Sequence, residues 1–247
     1  ANLPAQQVVV SVDPSANALR ISGTVEEGGL FLGRLRLRTE YTTIVGSNRI
    51  AIHDVVENLS SQPAEMQLLY HLNFGPPLLK VGSRFALPIR EAAPHTARAA
   101  EDIDRYDAYL GPTPGYQEQV YDFYPATDAE GRTLALLQNA SGDSAALVRW
   151  NARELPCFTV WKNTQAEADG YVTGLEPATN FPYFKAHERT QGRVRTLAPG
   201  RRWECTWSIE ILDTKVAIAA AVTEIAAVQR MTAAKIHRTP VFGPTGL

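Results

Sequence analysis

The 247-residue chain has only two cysteines, Cys157 and Cys205, only two methionines, and no concentration of charge of either sign. Two cysteines far apart in the chain can make neither a disulfide framework nor a cysteine-based metal site. They read as small buried residues in a reducing compartment. With 24 basic against 26 acidic side chains and a formal charge of -2, there is no basic stripe to hold nucleic acid or an anionic membrane. The longest apolar run, Val216 to Val228, is rich in alanine, contains Thr223 and Glu224, and falls short of the roughly 20 residues a membrane helix needs. Ala1-Asn2-Leu3-Pro4 is neither basic nor followed by an apolar segment, so no signal peptide is read and a cytoplasmic protein is expected. The start at Ala1 fits either processing or a missing upstream segment. Gly-x-Gly-x-x-Gly and Walker loops are absent, as is a Gly-x-Ser-x-Gly elbow. His53, His71, His95, His187 and His237 never pair at i, i+2 or i, i+4, which removes the common local metal signatures. No metal and no cofactor are expected, and nothing in the sequence sets an oligomeric state.

What is present is a strand rhythm. A chain of this length with 45% hydrophobic residues can bury roughly 70–75% of its unfolded surface, and a single domain over 1–247 is expected. Short segments at Val8 to Val12, Leu19 to Val25, Tyr41 to Val45, Arg49 to Val56 and Glu65 to His71 are separated by turn signals about every ten residues. That spacing points to an all-β fold, a large antiparallel β-sandwich. Leu35 and Leu37 alternate with Arg34, Arg36 and Arg38, giving a strand with one apolar and one cationic face; a solvated outer face explains it better than an anion site. The proline-punctuated residues 86–118 read as a long surface excursion that could cover a pocket. Strands resume at Glu118 to Tyr124, Thr133 to Gln138, Ala145 to Trp150, Cys157 to Lys162 and Tyr171 to Glu176. Trp203, Cys205, Trp207, Ile209 and Ile211 then occupy one face of a last half-buried strand. Asp213 or Thr214 would cap a C-terminal helix from about Lys215 to Arg230. His237 to Leu247 reads as an extended arm.

Two strand ends carry the candidate chemistry. In Val172 to Lys185 a strand pattern meets Pro177 and Pro182, which places Glu176 where strand should give way to loop. In Leu68 to Pro77, His71 stands in the same relation to a Gly/Pro loop. A carboxylate flanked by apolar residues is rarely buried without a partner or a purpose. Asn73 and Asn180 follow these two residues at a distance from which an amide could grip a sugar hydroxyl, or could equally cap loop backbone. Trp161-Lys162 ends the preceding strand. An exposed tryptophan beside polar groups suits a carbohydrate, and core packing is the competing reading. The expected partner is a small carbohydrate.

At Leu69-Tyr70-His71-Leu72-Asn73-Phe74-Gly75 and Gly174-Leu175-Glu176-Pro177-Ala178-Thr179-Asn180-Phe181-Pro182 the sequence resembles the galactose mutarotase-like superfamily, and most closely its aldose 1-epimerase-related DUF4432 branch. The resemblance implies a many-stranded supersandwich and an isomerase that opens a sugar ring by general acid/base catalysis, without a cofactor. It gives His71 the role of acid and Glu176 that of base. Counterparts of the second substrate-binding histidine, the arginine and the aspartate of the well-studied mutarotases are not matched; His53 lies too far back on its hairpin. The chemistry as read from the sequence wants Glu176 ionised and His71 protonated near neutral pH. The alternatives are a carbohydrate-binding module without catalysis, and a carbohydrate isomerase or lyase using the same glutamate at another carbon.

Overall fold

The computed structural model describes residues 3–244. In chain order its elements are β1 (Gln6–Asp13), β2 (Ala18–Glu27), β3 (Leu35–Ile44), β4 (Arg49–Asn58), β5 (Ala64–Met66), β6 (Leu72–Phe74), β7 (Arg84–Ala86), β8 (Ile89–Pro94) and α1 (Ala97–Ala100). They continue with β9 (Gln119–Pro125), β10 (Arg132–Gln138), β11 (Ala145–Asn151), β12 (Cys157–Thr164), β13 (Tyr171–Ala178), α2 (Lys185–Thr190), β14 (Arg195–Leu197), β15 (Arg202–Leu212), α3 (Lys215–Gln229) and β16 (Lys235–Ile236). The architecture is an all-β antiparallel sandwich with a C-terminal helix; β16, parallel to β8, is the exception in direction. Contacts divide the chain into two compact units, Ala1–Gln67 with Val194–Glu210, and Leu68–Arg193 with Ile211–Leu247.

The first unit is a meander in which β1, β2, β3 and β4 pair in sequence and β15 adds to β4. Its arginine row is tied down, because Arg34 and Arg36 both close on Glu26. β5 pairs with β14.

The second unit carries the site. One sheet runs β16-β8-β9-β12-β13-β6, and β7, β10 and β11 pair in the other. Alternation along each strand sends Phe123 and Phe158 inward, where Phe158 stacks on Phe85 of β7 and on Trp150 of β11. α3 closes the far side of β10 and β11. Ile218, Ala221, Ile225 and Val228, at i, i+3, i+7 and i+10, pack on Leu134, Leu136, Ala145 and Leu147. Thr214 is the cap, its Oγ1 accepting the Ala217 N–H at 3.2 Å.

Four expectations change here. The excursion contains β8, whose pairing with β9 was hidden by an apolar-poor, proline-bounded sequence. The strand expected over Glu65 to His71 is broken: Leu68–Tyr70 runs beside the end of β13, where Pro177 offers a carbonyl to the Tyr70 N–H but has no N–H to return, so a continuous ladder cannot form. His71 therefore precedes β6 and does not end a strand. Glu176 lies inside β13, which continues through Pro177 because the proline nitrogen faces this edge segment and not β12. Up to residue 244 the C-terminal arm is anchored, with Phe242 buried beside Phe181 and Tyr124, and residues 245–247 lie outside the described residues.

Candidate functional site

The site is written in the register of three central strands. Asp122 of β9 pairs with Thr159 of β12, which pairs with Glu176 of β13. Two residues along, Val120, Trp161, Gly174 and Asn73 form the next row on the same face. Neighbouring strands lie about 4.8 Å apart and alternate residues share a face, so these side chains are gathered by backbone geometry alone.

Glu176 has only 4% of its side chain exposed, and the His71 imidazole, 45% exposed, covers it with Nε2 at 3.1 Å from Oε1. The contact is off the line of an N–H···O hydrogen bond, and no aligned donor among the described residues reaches this oxygen. Burial pushes the Glu176 carboxyl up to about 8, and the Asp122 charge adds to the effect. At neutral pH the resting carboxyl thus mostly holds its proton, the reverse of the state expected from the sequence, because it is removed from water beside a second carboxylate. Gly174 makes the packing feasible. A Cβ there would overlap Glu176 Oε1 and stand 3.0 Å from His71 Cε1. Gly174→Ala is therefore expected to push the carboxylate aside, since its end is the mobile partner, and to lower any Glu176-dependent activity by about 10²-fold with little change in melting temperature. Activity equal to wild type would show that the carboxylate position is unimportant.

Trp161 meets the His71 ring edge-on at 5.4 Å between centroids and donates its indole N–H to Glu118 at 2.7 Å. Asn73 is exposed on the same face. The structure thus brings together Glu176, His71, Trp161 and Asn73. It does not bring the other two candidates to them. Lys162, next to Trp161 on a strand, points to the opposite face and is 3% exposed. Asn180 is buried and occupied by its own loop, donating to the Phe181 carbonyl at 2.7 Å and accepting from Thr179.

A second group was not legible as a set. Asp122 is fully buried; its Oδ2 accepts from the Tyr183 hydroxyl at 2.9 Å and lies 2.7 Å from His95 Nδ1, while Oδ1 accepts from Thr159. His95 and Tyr183 stack at 4.1 Å. Burial, with Asp122 next, raises the Tyr183 phenol pKa, so Tyr183 stays a donor. His95, 18% exposed, is a member a ligand could reach. Asp122 in Val120-Tyr121-Asp122-Phe123 bears the same mark as Glu176, a carboxylate among apolar neighbours on a strand, and that signal could have found it. No cluster of three or more metal-ligating side chains forms among the described residues, and no helix among them is long and apolar enough to cross a membrane.

An antiparallel sandwich of this kind is the galactose mutarotase-like fold. The chain aligns with a candidate aldose 1-epimerase from Klebsiella pneumoniae at 36% identity and a TM-score of 0.94, over 97% of this chain and 63% of that one. It thus spans less than two thirds of that protein's length. A galactose mutarotase-like protein from Clostridium acetobutylicum (15% identity, TM-score 0.59, 87% of this chain and 67% of the other) and a galactose 1-epimerase from Lactobacillus acidophilus (14%, 0.57, 85% and 67%) share the fold. Residues 1–211 match the model of DUF4432, described as a domain of unknown function, and the chain belongs to that family. No curated protein matches it in sequence.

Proposed function

We propose that the protein is an aldose 1-epimerase-like isomerase that interconverts the anomers of a free sugar. The observation that carries this reading is the buried Glu176 carboxyl with the His71 ring 3.1 Å away, on a strand face that also presents Trp161. Anomer exchange needs a base to take the proton from the anomeric hydroxyl and an acid to protonate the ring oxygen. Both oxygens are bonded to one carbon, so neighbouring catalytic groups can serve both. Glu176 as carboxylate is the base, and burial makes it a stronger one. His71 as imidazolium is the acid. Once the C1–O5 bond opens, the aldehyde turns and the same steps run backward on its other face. Trp161 offers an apolar surface to the sugar's C–H groups, while Asn73 and His95 supply polar contacts to hydroxyls. Soluble, cytoplasmic operation without a metal or cofactor is part of the same proposal.

The test is a screen of unlabelled sugars by NMR exchange spectroscopy, looking for anomer exchange faster than the spontaneous rate. Because the working state needs Glu176 ionised and His71 protonated together, the pair carries one proton in all, and activity should follow a bell-shaped pH profile whose maximum lies below the Glu176 pKa of about 8. A rate that falls on neither the acid nor the alkaline side, from about pH 4 to 10, would remove the pair from the mechanism. Sugar binding by calorimetry with no acceleration at any pH would make the protein a binding module.

A further inference from the structure

We propose that the hollow around Lys162, on the sheet face opposite Glu176, is a second site that captures a short-chain aldehyde as an imine on the Lys162 amine. This goes beyond the anomerase reading and does not depend on it.

Lysine is almost never fully buried unless paired, and Lys162 is 3% exposed. Its Nζ donates to the Ala108 carbonyl at 2.8 Å, lies 3.4 Å from that of Arg105, and sits over the rings of Tyr109 and Tyr121. The carboxylates in the neighbourhood are committed elsewhere. Asp102 takes Arg98, Arg105 and Gln119, and Asp107 takes Arg84. Two carbonyls satisfy the two N–H groups of a neutral amine and leave its lone pair available, whereas an ammonium would have only the tyrosine ring faces for its third donor. Burial pushes the amine down to about 7; Asp107 and Asp102 act against this and Arg84 with it. An exposed lysine, near 10.4, is almost wholly protonated under the same conditions.

The amine borders a hollow of about 120 Å³, far below the roughly 300–1,000 Å³ of sites for drug-sized ligands. That volume limits the occupant to two or three carbons. Its lining includes Arg105 and Leu110, both exposed. Thr164 also lines it, and its hydroxyl is buried without an aligned hydrogen bond although Tyr116 lies alongside. In the step proposed, the amine nitrogen bonds to the carbonyl carbon while the carbonyl oxygen gains a proton, giving a carbinolamine. Loss of that oxygen as water then forms the C=N bond. Thr164, two residues along the strand on the same face as Lys162, has the hydroxyl assigned to the departing oxygen, since that of Tyr116 is already donated to Gln119.

The experiment treats the intact protein with glycolaldehyde and cyanoborohydride at pH 7, then compares labelling at Lys162 with that at the exposed Lys80, Lys185, Lys215 and Lys235 by peptide mass mapping. Lys162 should be labelled at least about tenfold faster than any of them, as its larger unprotonated fraction requires. Thr164→Val should slow labelling of Lys162 several-fold and leave the other four unchanged. Lys162 labelled more slowly than the exposed lysines, or only once the protein is denatured, would make it a structural ammonium and overturn the proposal.

Discussion

Glu176→Gln is expected to cut catalysed anomer exchange by about 10²–10⁴-fold, the usual worth of a positioned general base, on any sugar the wild type accelerates. The same substitution should stabilise the fold, and the sign follows from linkage. The folded pKa of about 8 stands above the ordinary carboxyl value of 4.5, so ionising Glu176 costs more in the folded than in the unfolded chain. That penalty is absent below pH 4.5, grows between 4.5 and 8, and stays constant above. An uncharged glutamine escapes it, by an amount of the order of 5 kcal/mol at pH 8.5 and by almost nothing at pH 4. Thermal melts at the two pH values, beside NMR exchange rates, check both halves. A variant that loses activity and also melts lower at pH 8.5 would mean that the carboxylate is structural.

The second large effect concerns Arg193. Its guanidinium makes a bidentate pair with Glu188 at 2.7 and 2.6 Å, donates to the Phe242 carbonyl at 3.0 Å, and lies over the Phe181 ring. Glu188 is fully buried and also accepts the Phe181 N–H at 3.1 Å. Arg193→Met would strand that carboxylate in the interior, at an expected loss of about 3–5 kcal/mol, or roughly 10 °C in melting temperature at this chain length. Replacing both residues, Glu188→Met with Arg193→Met, should recover most of the loss, because what costs stability is the lone charge and not the missing pair. A single variant within about 1 kcal/mol of wild type would refute this account. The pair also fixes the turn that delivers Tyr183 to Asp122, so the single variant should weaken activity before it unfolds.

Much of this was legible in the chain. Strand patterns located β1, β2, β4, β9 to β13 and β15 to within a few residues and met β3 in two pieces, at Leu35 and Leu37 and at Tyr41 to Val45. Thr214 announced α3. The strand period should have separated Trp161 from Lys162, because consecutive residues of a strand cannot share a face; reading them as a pair was an error of neighbourhood. His95 stayed hidden because the strand it follows, β8, lies among prolines and alanines with little alternation, and what recruits it is the pairing of β8 with β9 and its own N–H to the Val120 carbonyl. Asn180 could be read two ways, and the loop took its amide. The proton state of Glu176 was out of reach, since it depends on how much water the imidazole above it excludes.

The register of β9, β12 and β13 has one more consequence. The carboxylates of Asp122 and Glu176 are spaced by inter-strand hydrogen bonds, and the hydroxyl of Thr159 stands between them, so their separation belongs to the ladder itself. Loops around such a row can lengthen, shorten or exchange residues without moving either acid. Preference for one ligand over another can therefore drift among relatives of this chain while the spacing of the two acids is inherited intact.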